Sequence, residues 1–106
     1  MNMIKRITGV NFEKEVKEYQ GVVLVEFVAV WCGKCASMKP IIEELAIEYA
    51  QSVKTVEVEI EESALLAAAH EVEVVPTYVL YENGTQVGQI TGVVSKETLE
   101  QMLQQA

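Results

Sequence analysis

Val22-Val23-Leu24-Val25-Glu26-Phe27-Val28-Ala29-Val30-Trp31-Cys32-Gly33-Lys34-Cys35 is the stretch on which the fold turns. Val22 to Val30 is a nearly continuous β-branched and aromatic run, the pattern of a strand buried on both faces of a parallel sheet. Glu26 is the single charge inside it. After Trp31 the period changes. Met38, Ile41, Ile42, Leu45 and Tyr49 recur at helical spacing, so a long helix is predicted from near Cys32 to about Ala50, kinked by Pro40. The two cysteines therefore stand where a buried strand hands over to a helix.

Working outward, Ile4 to Thr8 is a short strand candidate. A helix comes next, with Asn11 as N-cap and with Phe12, Val16 and Tyr19 on one face, ended by Gly21. Downstream, Val53 to Ile60 reads as a strand in which Val56, Val58 and Ile60 alternate with Glu57 and Glu59. Ser63 to His70, rich in Ala and Leu, is a short helix. Val74-Val75-Pro76-Thr77 leads into the strand Tyr78-Val79-Leu80-Tyr81, and Asn83-Gly84 is a hairpin turn joining it to a strand from Gln86 through Thr91. Ser95 caps a last helix carrying Leu99, Met102 and Leu103. The order is βαβαβαββα. Strand-helix-strand units require parallel pairing and the Asn-Gly turn requires antiparallel pairing, so an α/β fold is predicted, with a central mixed sheet flanked by helices on both faces.

The chain has 106 residues, half of them hydrophobic, enough for one domain with its own core and too few for a multidomain enzyme. No apolar stretch approaches the ~18 residues a membrane helix needs. The start, Met1-Asn2-Met3-Ile4-Lys5-Arg6, has no apolar segment followed by a small-residue cleavage site. A soluble, cytoplasmic protein with no membrane partner is expected. Eight Lys and Arg against sixteen acids, all of them Glu, give a net charge of −8. That surface would repel a phosphate backbone, so nucleic-acid binding is not expected. The glutamates are spread along the chain, as on a solvated surface. The core needs no second subunit to be buried, so a monomer is expected.

Cys32 and Cys35 are the only cysteines. A four-residue ring closed by a bridge between them would remove little chain entropy, so stapling is not their purpose. Redox or metal chemistry remains. At a helix start, the Cys32 sulfur should face the unpaired N–H groups and the positive dipole end, which favours a thiolate. Lowering a thiol by one unit from ~8.5 takes ~1.4 kcal/mol, and a partly buried helix terminus supplies up to ~2. Cys35 lies three residues on, on the same face and deeper. The predicted mechanism is attack by Cys32 on a partner's disulfide, with resolution of the mixed disulfide by Cys35. His70, the only histidine, reads as a surface residue. One cysteine pair and one distant histidine fall short of a closed zinc site unless two chains share the metal. No Gly-x-Gly-x-x-Gly motif is present, so no nucleotide cofactor is expected in this chain.

Val25-Glu26-Phe27, Trp31-Cys32-Gly33-Lys34-Cys35, Pro40, Val75-Pro76-Thr77, Asn83-Gly84 and Gly92 fall in the order and spacing of the thioredoxin family, which the chain resembles over essentially its whole length. The resemblance implies one thioredoxin domain over residues 1–106 and a general protein-disulfide reductase, re-reduced by a separate reductase. It implies a cis peptide before Pro76 that faces the cysteines and helps hold an extended substrate segment. Trp31, Gly33, Lys34, Val75, Pro76 and Gly92 become substrate-binding candidates. Glu26 stands six before the first cysteine, where the family usually has a buried Asp that assists proton transfer at the second. The other reading is an acid that snorkels to water or meets a lysine. Three departures stand out: Gly33-Lys34 replaces the usual Gly-Pro, Val28 a usual Trp, and Glu57 a Lys that commonly neighbours the buried acid. If Glu57 faces Glu26, like charges would raise the pKa of one of them. Two further readings stay open: a glutaredoxin-like or oxidase-like protein, and an interaction module whose cysteines hold a shared metal or do nothing.

Overall fold

Side chains along a strand point alternately to opposite faces. In the second strand, β2 (Val22–Val28), that alternation sends Val23, Val25 and Phe27 one way and Leu24, Glu26 and Val28 the other. Both sets are buried, so both faces must be covered. The computed structural model describes residues 3–106. It shows a five-stranded sheet in the order β1-β3-β2-β4-β5, where β1 is Ile4–Ile7, β3 Val53–Glu59, β4 Thr77–Glu82 and β5 Thr85–Thr91. β1 and β2 run parallel to β3, β4 is antiparallel to β2, and β5 is antiparallel to β4. The helices are α1 (Gly33–Glu48), α2 (Ala64–Ala69) and α3 (Lys96–Gln104).

On one face Val23, Val25, Phe27, Val56, Val58 and Val79 pack with Phe12, Val16 and Ala67 of α2. On the other, Leu24, Tyr78 and Leu80 meet Met38, Ile42 and Leu45 of α1 and Leu99 and Leu103 of α3. Each such side chain contributes roughly 1.5–3 kcal/mol by leaving water. The mixed sheet with helices on both faces is the architecture expected from the element order.

Several local expectations need correction. Asn11 does not cap a helix. Its Oδ1 accepts the Thr8 N–H at 2.8 Å, and the chain then makes one π-helical turn, Glu13–Lys17. Only Phe12 and Val16 find a core there. Tyr19 is exposed, with the Lys54 ammonium 4.5 Å from its ring centre. β2 stops at Val28, and Val30 is 79% exposed because it lies beyond the paired edge of the sheet. α1 runs from Gly33 to Glu48 with Pro40 inside it. Glu59, expected on a solvated face, is buried and accepts the backbone N–H groups of Glu61 and Glu62 at 3.1 and 2.8 Å, closing the turn after β3.

The Asn83-Gly84 turn has positive φ at both residues, 50° and 84°, as a two-residue hairpin of type I′ requires. Gly84 is needed for a second reason: a Cβ there would run into the Lys17 carbonyl oxygen. Asn83 also ties the hairpin to the start of β2, its Oδ1 accepting the Gly21 N–H at 2.8 Å. Ser95 caps α3 as expected, its Oγ accepting the Thr98 N–H at 3.1 Å. Because β4 runs antiparallel to β2, with Thr77 opposite Phe27, the end of β2 and the start of β4 lie at the same end of the sheet. That is how Val75, remote in sequence, comes to face Cys32.

Candidate active site at the start of the long helix

Cys32 is the N-cap of α1, in extended conformation with φ −97° and ψ 109°. Its Sγ accepts the Cys35 N–H at 3.0 Å. The sulfur thus sits on the donors that a helix leaves unpaired in its first turn, at the positive end of the dipole. Cys32 and Cys35 are joined as a disulfide with Cα atoms 5.3 Å apart. Cys32 is half-buried, whereas Cys35, one turn into the helix, is 8% exposed. The outer sulfur is open to attack and the inner one is shielded.

The facing wall is the loop before β4. The Val75–Pro76 peptide is cis, and the Val75 carbonyl oxygen lies 3.6 Å from Cys32 Sγ. Thr77 Oγ1 donates to the Val74 carbonyl at 2.6 Å, and the Gly92 N–H donates to the Pro76 carbonyl at 2.8 Å. Gly92 has φ 95°, so its backbone is in the region that favours glycine, and a Cβ there would meet open space. These bonds pin the loop on which the Val75 carbonyl is presented. An open groove of about 340 Å³ runs past Cys32, with Trp31, Gly33, Lys34, Ile60, Glu73, Val74 and Val75 as its other walls. Trp31 is 65% exposed, and its Nε1 donates to Glu61 at 3.3 Å, which holds an indole out in solvent. Pro76 and Gly92 are not among the groove walls.

On the inner side, Glu26 is 3% exposed and accepts a hydrogen bond from the Tyr78 hydroxyl at 3.1 Å. It neither snorkels nor pairs with a lysine. It shares a cleft of about 250 Å³ with Cys32, Cys35, Arg6, Lys39 and Glu57. Burial pushes its carboxyl up from 4.5 to about 7; the nearby charges of Glu57 and Glu43 add to the rise, while Tyr78 and Lys39 oppose it. The phenol of Tyr78 is pushed up as well, by burial first and by Glu26 second. Glu57 does stand beside Glu26 across the β2–β3 register, and Arg6 Nε donates to its carboxylate at 2.7 Å.

Tyr78 reads in the sequence only as a strand residue, and its bond to Glu26 is not legible there. A fully buried phenol needs a polar partner, and that requirement was the available signal. Arg6 and Lys39 were missed because only strand register and helix packing bring them to Glu26. His70, expected at the surface, is half-buried. It closes α2 as C-cap, its Nε2 lies 2.7 Å from the Tyr81 hydroxyl and its Nδ1 3.0 Å from the Leu66 carbonyl, and its ring meets Phe12 edge-on. It fills a gap between aromatic side chains. Among the described residues no group of three or more His, Cys, Asp or Glu side chains is arranged to hold a metal.

The thioredoxin family model matches residues 3–105. Thioredoxin 1 of Synechococcus elongatus is 34% identical over 103 residues, covering 97% of this chain and 96% of its own. The thioredoxins of Porphyra purpurea and Staphylococcus aureus are 33% and 34% identical over 100 residues, 94% of each chain. The chain belongs to the thioredoxin family. It is a thiol-disulfide oxidoreductase, and the Cys32–Cys35 pair is its redox disulfide. Thioredoxins act on disulfide-bearing clients and are returned to the dithiol by a thioredoxin reductase. Among the described residues no helix is long and apolar enough to cross a membrane. The Arg6–Glu57 pair stands beside the buried acid, and Lys34 lines the groove past Cys32.

Proposed function

We propose that this chain is a general protein-disulfide reductase in which Cys32 is the nucleophile, Cys35 the resolving thiol and Glu26 the base that serves Cys35. In the reduced protein the Cys32 thiolate attacks one sulfur of a client disulfide. A Cys32–client bond forms, the client bond breaks, and one client thiolate leaves. Glu26 then takes the Cys35 proton through water in the cleft they share, which is wide enough for it. The Cys35 thiolate attacks Cys32 Sγ, the second client thiolate leaves, and two electrons have passed to the client. A base with a pKa of about 7 is matched to that proton at neutral pH.

Trp31, Gly33, Lys34 and Val75 would form the docking groove, with an extended client segment lying against the Val75 carbonyl beside Cys32. Pro76 and Gly92 hold that loop. Lys34, in the first turn of α1, favours the thiolate by an exposed-charge effect of ~0.2–1 kcal/mol. The domain acts alone, as a cytoplasmic monomer, and a separate reductase supplies its electrons. The observation that carries the proposal is the placement of Cys32 Sγ on the first-turn N–H of α1 with Cys35 buried behind it. The test is dithiothreitol-driven reduction of a disulfide-linked protein by the parent, Cys32→Ser and Cys35→Ser. Both variants should lose turnover, and only Cys35→Ser should accumulate as a mixed disulfide. No turnover above dithiothreitol alone in the parent would sink the proposal.

A further inference from the structure

Four residues from four strands form one row across the sheet: Arg6 of β1 opposite Glu57 of β3, Glu57 opposite Glu26 of β2, and Glu26 opposite Tyr78 of β4. Residues paired across adjacent strands share a face, and neighbouring strands are only ~4.8 Å apart. Two carboxylates thus lie side by side on the face that α1 covers. Like charges in that position repel, and one of them is deeply buried. Arg6 binds the Glu57 carboxylate at 2.7 Å from the far side of the row. Arg6, Glu57, Glu26 and Lys39 line both the cleft that reaches Cys35 and a second one of about 200 Å³ that adds Ile4, Ile42 and Glu43.

We propose that Arg6, two strands away from the cysteine-bearing turn, is a positioning residue for the Glu26 proton: by holding and neutralising Glu57, it sets the charge that Glu26 meets and so the pH range in which Glu26 serves Cys35. The proposal rests on the reading of Glu26 as the base for Cys35. The groups facing Glu26 are Glu57 from β3, Tyr78 from β4, and Lys39, Glu43 and Cys35 from α1, with Arg6 acting through Glu57. Of these, Glu57 pushes the Glu26 carboxyl up directly, and Arg6, paired with Glu57, weakens that push. Removing Arg6 leaves an uncompensated negative charge beside Glu26 and makes it hold its proton more tightly. Removing the Glu57 charge does the reverse. Loss of packing at either position would not produce opposite signs.

The experiment monitors the carboxyl carbon of Glu26 by NMR in oxidised protein labelled at the glutamate side chains, assigned by its loss in Glu26→Gln. The parent, Arg6→Gln, Arg6→Lys and Glu57→Gln are titrated from pH 5 to 9. Expected is a midpoint raised by roughly half to one pH unit in Arg6→Gln, lowered by a similar amount in Glu57→Gln, and near the parent in Arg6→Lys. Arg6 lies half-exposed at the sheet edge and Glu57→Gln keeps shape, so one of the two informs even if the other folds poorly. A midpoint unmoved in both variants, or moved the same way, overturns the proposal. Rates of mixed-disulfide resolution measured alongside should fall several-fold at pH 6.5 in Arg6→Gln, rise in Glu57→Gln, and agree at pH 9. Opposite NMR midpoint changes with unchanged rates would leave Arg6 in control of the Glu26 proton and refute Glu26 as the base.

Discussion

Replacing Glu26 by Gln should make the oxidised protein more stable, and the gain should depend on pH in a way fixed by burial. In the fold the carboxyl holds its proton up to about pH 7, against an ordinary value of 4.5. Between those values the unfolded chain has released a proton that the folded chain keeps, so stability falls as pH rises through the window and levels off above it. At ~1.4 kcal/mol for each pH unit, ionised Glu26 costs about 3 kcal/mol above pH 8. Gln keeps an acceptor for the Tyr78 hydroxyl but brings an amide donor into the cleft, which costs about 1 kcal/mol at any pH. The net expectation is a variant about as stable as the parent at pH 5 and about 2 kcal/mol more stable at pH 8.5. Urea unfolding of both proteins at pH 5, 6, 7 and 8.5, without reductant, measures it. A difference that stays constant with pH, or a variant less stable than the parent at pH 8.5, would refute the burial argument.

Gly84→Ala places a methyl group at φ 84° and against the Lys17 carbonyl oxygen, so a loss of roughly 1–3 kcal/mol is expected in urea unfolding, with the redox site 32–35 left intact. Glu15 behaves opposite to Glu26. Hydrogen bonds from Lys54 and then Lys5 hold its carboxyl down at about 2, so its contribution is present above pH 4.5 and is lost as pH falls toward 2. The Lys5 side of the pair is 58% exposed and screened, so Glu15→Gln should cost less than about 1 kcal/mol at pH 7, and acid unfolding curves of parent and variant should converge near pH 2.

The alternation of buried residues in β2, the helical stripe from Met38 to Tyr49 and the Asn83-Gly84 turn were legible because each is a local pattern with one low-energy solution. The Cys32-x-x-Cys35 chemistry was legible for the same reason, since N-cap, first turn and nucleophile lie within four residues. The segment after Asn11 reads as a full helix and is not one, because three apolar residues at helical spacing cannot say how many of them find a core. Glu59 reads as a solvated side chain because a carboxylate that caps a turn looks, in sequence, like any other alternate Glu. Arg6 and Lys39 were invisible for a different reason. Their place beside Glu26 depends on the register of β1 on β3 and the rotation of α1 over β2, which no local pattern encodes.

A carboxyl that weakens the fold at neutral pH needs a physical reason to stand in the middle of β2, and the row across the sheet supplies one. Leu or Val at that position would pack between Leu24 and Val28 with no charge to desolvate. The same desolvation that makes ionised Glu26 costly moves its proton affinity from the acid range to about 7. A more exposed carboxylate would be ionised at all working pH values, and its weak basicity would give little help in removing a thiol proton. Burial alone sets the rough level. Glu57, one strand over, pushes it up, and Arg6, at the edge, limits that push by an ion pair on the far side of the shared cleft. The adjustment therefore sits on Arg6 and Glu57, side chains that make none of the hydrogen bonds holding Cys32 Sγ or the Val75 loop. Proton affinity at Glu26 and nucleophile geometry at Cys32 can thus vary independently in this fold.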